Sequence, residues 1–198
     1  MFDSDLLDRL SRVHPAVPPA IFGPFIVGFV AFAVDRLGPT RTVGLFLAGY
    51  LLWTLTEYWM HRIVFHFEPE DGFGARLHWI IHGVHHEHPN DPRRLVMPPS
   101  VSVPLAIVFY LAFLAVFGSR YAPGIEGGFI SGYLIYDMTH FYVHHRRPTT
   151  SLGRALREAH MRHHFQDDTT GFGVSAPYWD RVFGTTSARA QRPAPPAE

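Results

Sequence analysis

The chain has 198 residues with 17 basic and 17 acidic groups, so its formal charge is zero and no global field draws it to nucleic acid. Cysteine is absent, which excludes disulfides, thiolate zinc sites, iron–sulfur clusters and a cysteine nucleophile. Every basic residue is arginine, and histidine stands out at fourteen.

Residues 1–19, "MFDSDLLDRLSRVHPAVPP", form an N-terminal leader. It opens acidic and lacks the basic region and apolar run of a cleaved signal. It reads either as a short amphipathic helix on a bilayer surface, with Phe2, Leu6, Leu7 and Leu10 on one side, or as a frayed polar leader.

A single domain is expected over 20–184, built on four apolar runs at 20–34, 43–60, 101–118 and 127–143. Each run has 15 to 18 residues, slightly short of the roughly 20 needed to span a bilayer. Buried helices of a soluble bundle are the competing reading. The runs are apolar all round rather than on one stripe, which favours membrane helices. They pair as two hairpins through "DRLGPTRT" and "SRYAPGIE", both rich in turn formers.

Arginine counts orient this topology. The hairpin tips carry three (Arg36, Arg41, Arg120), whereas the other side carries fourteen, so both termini and every histidine cluster are expected in the cytoplasm. The tail at 185–198 is small, polar and proline-rich, a composition of disorder.

Four histidine clusters occur: "HRIVFH" and "HFYVHH" end the second and fourth apolar runs, and "HGVHH" and "HMRHH" lie in the segments that follow them. Neutral imidazole is a good ligand for iron, zinc, copper and nickel. Helical residues three and four apart share a face. His82, His85 and His86 therefore converge, as do His160, His163 and His164, and His140 with His144; each triplet offers two or three nitrogens to one small volume. His61 and His66 are five apart, about 140° around an ideal helix. Either the helix unwinds there or the two serve different ions. His145 stands in the same relation to His140 and is expected as a supporting hydrogen-bond donor, as is His78, one turn before His82. His14 and His88 adjoin prolines and read as surface residues.

The ten remaining histidines are too many for one ion and fit two, with coordination left for water or dioxygen. Neither HExxH nor a Glu-x-x-His pair occurs, which excludes a zinc protease and the carboxylate-bridged di-iron bundle. Asp137, three before His140, is expected to orient that imidazole or to contact substrate. The clusters lie where the hydrophobic hairpins meet a polar cap, so a lipid chain can enter from the bilayer.

The order H-x4-H, H-x2-HH, H-x3-H, H-x2-HH resembles the fatty acid hydroxylase/sterol desaturase superfamily of integral-membrane di-iron enzymes. The flanks "EYWMHRIVFHF", "HGVHHEHPNDPRRLVMPP", "YDMTHFYVHH" and "GFGVSAPYWDRVFGT" are similar to the membrane domain of fatty acid 2-hydroxylases, the sphingolipid α-hydroxylases. The resemblance implies an all-α protein of four transmembrane helices under a cytosolic helical cap. It implies two irons held by His61, His66, His82, His85, His86, His140, His144, His160, His163 and His164. Tyr136 and Asp137 match a family "YD" pair near the proposed substrate entrance. The implied activity is 2-hydroxylation of a long acyl chain, free or within a sphingolipid-like lipid, with dioxygen as co-substrate.

Eukaryotic members carry a fused haem electron carrier, whereas about twenty residues precede the first apolar run here, so a separate electron-donor protein is expected. With no obvious lumenal retention signal, a bacterial inner membrane and an endoplasmic reticulum both fit, and the arginine-only composition tilts the expectation to the bacterial inner membrane. Zinc can replace iron in a purified sample, because nitrogen ligands bind both. The rival readings are a desaturase or hydroxylase of sterol- or carotenoid-type lipids on the same metals, and a non-catalytic metal-binding membrane protein.

Overall fold

A computed structural model describes residue 8, residues 11–67 and residues 71–187. The expected leader positions Phe2, Leu6, Leu7 and Leu10, and the tail from 188 onward, lie outside the described residues.

Among the described residues every regular element is helical. The first hairpin is α1 (Val17–Leu37) and α2 (Pro39–Trp59). Prolines start both helices, at Pro18 and Pro39. A missing N–H costs little there, because the first amides of a helix have no partner within it. Two short helices follow, α3 (Gly72–His78) and α4 (Val84–Glu87). The 47-residue α5 (Pro99–His145) is broken at Gly118, and α6 (Ser151–Phe165) and α7 (Tyr178–Phe183) complete the chain.

The two hairpins reverse by the same device. Gly38 has φ 77° and ψ 164°, and Gly118 has φ 71° and ψ 167°, conformations that only glycine adopts without strain. The second reversal corrects the sequence expectation. "SRYAPGIE" is not a connecting loop but the helical start of the second arm of α5 (119–145), because Gly118 alone supplies the turn. The arms run antiparallel, with the Phe109 and Phe113 rings 4.6 and 5.3 Å from Phe129.

That second arm is the centre of the bundle. α1 crosses it antiparallel, pairing Phe22 with Tyr133 at 5.1 Å and Val30 with Gly127. α2 runs parallel to it, backbone against backbone. A Cβ on Gly49 would lie 1.9 Å from the Ile125 carbonyl oxygen, and one on Gly128 would lie 1.9 Å from that of Phe46. The outward faces stay apolar, with Phe25, Val27, Leu47, Leu51, Val108, Leu111 and Val116 exposed. Val17–Leu37 and Pro99–His145 are long and apolar enough to cross a membrane. At 1.5 Å per residue α1 is about 31 Å long, close to the roughly 30 Å of a bilayer's hydrocarbon core.

The glycine contact makes a testable difference. Gly49→Ala or Gly128→Ala must push two backbones apart and should cost about 1–3 kcal/mol or more in detergent melts. Gly44→Ala, with nothing within 4 Å, should be neutral or slightly stabilising through helix propensity. Equal melting of Gly44→Ala and Gly128→Ala would contradict the close crossing.

Candidate metal centre

The site forms where α2 and α5 emerge from the bundle and meet the segments 72–87 and 151–175. Beyond Trp59, α2 continues as a π-helical turn (Met60–Phe65), closed by the His66 amide donating to the His61 carbonyl at 3.2 Å. The wider turn brings the two imidazoles together, Nε2 to Nε2, at 3.3 Å. Of the two possibilities that the spacing left open, the helix unwinds. A second π-helical turn (Trp79–Gly83) carries His82, whose Nε2 lies 2.8 Å from that of His86.

The last carbonyls of α5 are tied to α6 by Arg157, whose guanidinium donates to Val143, to His144 at 3.1 Å and to Arg146 at 3.3 Å. The start of α6 is capped by Thr150, which accepts from the Gly153 amide at 3.1 Å. These contacts hold His140 and His144 opposite His160 and His164.

Ten imidazoles result in two groups of five. One comprises His61, His66, His82, His86 and His163, the other His85, His140, His144, His160 and His164; within each, the ligand atoms lie within 4.8 Å of one another. Neighbouring Nε2 atoms are 2.8–3.3 Å apart, for example His66 to His163 at 3.0 Å and His85 to His140 at 2.9 Å. Bonds of about 2.0–2.1 Å from a central ion at right angles would put adjacent nitrogens about 3 Å apart, so the spacing fits a metal in each group. The groups touch where His86 stacks on His164, ring centroids 4.2 Å apart.

The triplets do not each serve one volume, as the sequence suggested. His82 and His86 point into one group and His85 into the other; His160 and His164 share a group and His163 leaves it. On a helix, neighbours one residue apart diverge by about 100°, so only the pairs four apart stay together.

Protonation suits coordination. Burial first, then the surrounding imidazoles, push His61, His82, His85 and His160 well below the ordinary histidine value. Neutral rings keep one nitrogen lone pair for a cation. His61 and His163 also have their tautomer set, since each Nδ1–H donates at 2.7 Å to a carbonyl, of Phe172 and Thr170 respectively. With imidazole nitrogens as the donors, the site suits iron, zinc, copper or nickel.

The expected supporting residues fall differently. Asp137 does not reach His140: its carboxylate accepts from the Met97 amide at 3.1 Å and the Tyr133 hydroxyl at 3.3 Å, pinning the approach to α5. It is buried, with 1% exposure. Tyr136 lies against His140, ring centroids 5.8 Å apart. His145 joins neither group, and its Nε2 is buried without a hydrogen-bond partner among the described residues. The His78 side chain lies outside the described residues. His14 and His88 are exposed, as expected.

Sequence reasoning missed the residues that hold the 170–175 loop. Buried Asp180 accepts from the Phe172 and Gly173 amides, both at 2.9 Å, and Glu57 accepts from the Ser175 amide at 2.7 Å and from its hydroxyl. The Tyr178 hydroxyl and Trp179 indole donate to Thr54, at 2.8 and 3.1 Å, docking the segment on α2. Their signal was the flanks "EYWMHRIVFHF" and "GFGVSAPYWDRVFGT", which contain Glu57 and Ser175, Tyr178, Trp179 and Asp180.

The family model for fatty acid hydroxylases matches residues 46–185. The chain is 36% identical over 185 residues to a dihydroceramide fatty acyl 2-hydroxylase of Arabidopsis thaliana, covering 93% of this chain and 78% of that protein. It is 36% identical to the ceramide very long chain fatty acid hydroxylase of Saccharomyces cerevisiae, covering 91% of this chain and 48% of that protein. The fatty acid 2-hydroxylase of Rattus norvegicus is 40% identical, with 93% and 56% covered. The chain thus spans about half the length of the yeast and rat proteins. A solved structure of full-length scs7p, in which only the hydroxylase domain is visible, superposes with a TM-score of 0.90 at 34% identity, covering 95% of this chain and 72% of that one. This chain belongs to the fatty acid hydroxylase family.

Proposed function

We propose that the protein is a membrane di-iron monooxygenase that hydroxylates the 2-position of a long fatty acyl chain, free or within a sphingolipid-like lipid. The observation that carries this reading is the gathering of ten Nε2 atoms into two adjacent five-membered groups. Membership of the hydroxylase family and the 2-hydroxylase names of the relatives support the reaction and the acyl position.

In this reading His61, His66, His82, His86 and His163 hold one iron, and His85, His140, His144, His160 and His164 the other. Bound there, the irons would supply dioxygen activation with two electrons from a separate donor protein, one oxygen atom entering the substrate C–H bond and the other leaving as water. The chain's own part is orientation and exclusion of water. The Phe172 and Thr170 carbonyls keep protons on Nδ1 of His61 and His163, so that each Nε2 faces inward as a lone pair. The rings of Phe65 on His82, Phe172 beside His61 and Tyr136 on His140 set apolar surface against both groups, at 5.0, 5.7 and 5.8 Å.

We further propose that α1, α2 and both arms of α5 span the membrane, with the histidine groups at the arginine-rich, cytoplasmic face. The one domain of this reading covers 20–184, between a leader and a polar tail. The named relatives come from a plant, a yeast and a mammal, so they lend the bacterial inner membrane no support, and the proposal is restricted to sidedness.

Lipids from cells expressing the protein should contain 2-hydroxy acyl chains, each heavier by one oxygen, that fall to background with His85→Ala or His163→Ala. Unchanged hydroxylation in those variants, or loss of two hydrogens in place of added oxygen, would contradict the assignment. Because the chain has no cysteine, sidedness can be read with single cysteines. A membrane-impermeant thiol reagent should label Ser119→Cys on intact cells and Thr149→Cys only after permeabilisation; the reverse pattern would refute the orientation.

A further inference from the structure

The two histidine groups differ in what stands behind their rings. In the His61 group, two rings donate Nδ1–H to the backbone at 2.7 Å, to Phe172 and to Thr170. In the His85 group, Nδ1 of His85, His160 and His164 is buried and has no hydrogen-bond partner among the described residues. A ring that coordinates through Nε2 carries its proton on Nδ1, and a metal-bound histidine is held best when that proton is donated. Loss of such a partner typically weakens metal binding about 10–100-fold.

The carbonyls that serve the first group are not casual neighbours. They belong to one loop, 170–175, which is suspended between two buried carboxylates on different elements. Asp180 of α7 accepts the Phe172 and Gly173 amides at 2.9 Å and the Thr185 hydroxyl at 2.8 Å. Glu57 of α2 accepts the Ser175 amide at 2.7 Å, four residues before His61 on the same helix. The loop is thus fixed to the helix that delivers His61 and reaches across to His163. The other group relies on helix geometry: His140 with His144 on α5, His160 with His164 on α6, and His85 between them.

We infer that the two groups are unequal metal sites, the His61 group holding its ion more tightly because the 170–175 loop gives two of its rings carbonyl partners, whereas three rings of the His85 group have none among the described residues. Asp180 and Glu57 act as positioning residues for that site alone. The inference rests on the dinuclear reading above and adds an order of occupancy: the His61 group fills first and empties last.

The test uses full-length protein purified in detergent, loaded with Zn²⁺ and challenged with graded chelator, with zinc per chain read by elemental mass spectrometry. Release should occur in two steps about 10–100-fold apart in free zinc, with a plateau near about one ion per chain. His164→Ala should keep only the tight step and His163→Ala only the weak one. Asp180→Asn, which leaves all ten imidazoles in place, should weaken the tight step by about tenfold and leave the weak step unmoved. A purely structural role for Asp180 would shift both steps together. Release of two ions in one step, the reversed pattern in the histidine variants, or equal shifts in Asp180→Asn would each overturn the inference while leaving the dinuclear centre intact. Wild-type protein that binds fewer than two zinc ions would overturn the dinuclear reading and this inference with it. Should either histidine variant fail to fold, the wild-type steps and Asp180→Asn still decide.

Discussion

Ten imidazoles can share so small a volume only while they are neutral. Two unit charges 4 Å apart repel by about 4 kcal/mol at an effective dielectric of about 20, and here ring nitrogens approach to 2.8 Å. Burial enforces neutrality, and the same burial leaves the lone pairs without water. The assembly is therefore compatible with a cation at each focus. The surrounding architecture serves this constraint: π-helical turns adjust ring direction, Arg157 ties α6 to the end of α5, and a loop hung on two carboxylates orients His61 and His163.

The bundle contributes rigidity at the point where the site needs it. Gly49 and Gly128 let α2 and the second arm of α5 meet at backbone distance, and these are the two elements that run directly into His61 and His140. Trp53 packs against Phe129 and Tyr133 within the same crossing, at 5.2 and 5.3 Å. Tight helix packing thereby sets where the first histidine of each emerging segment begins, while the outer faces remain apolar.

The helical class, the hairpin pairing of α1 with α2 and the candidate ligands were legible because each rests on residue type and period. Apolar runs without a polar face, and histidines four apart such as His82 with His86 and His160 with His164, carry their own geometry. The allocation of His85 and His163 was not legible, because a 100° step between adjacent residues sends one of them across to the other group. His61 with His66 stayed ambiguous, since a π-helical turn is a local widening that spacing alone does not reveal. The second reversal lies at Gly118, which turns the chain in one residue, whereas turn-former content alone favours "SRYAPGIE". Asp137 was assigned to His140 by spacing, but a backbone amide of Met97 claimed its carboxylate. The carbonyls of Thr170 and Phe172 are backbone atoms and leave no signature in residue type; Asp180 and Glu57, which hold their loop, are the residues that could have marked them.

Two foci are each enclosed by five ring nitrogens, and the neighbours His85 and His86 face different ones. A structure of the purified protein phased at the metal absorption edge tests this most directly. Two anomalous peaks per chain are expected, one within bonding distance of Nε2 of His61, His66, His82, His86 and His163, the other of Nε2 of His85, His140, His144, His160 and His164. A single peak, or two peaks with His85 and His86 on the same ion, would contradict it.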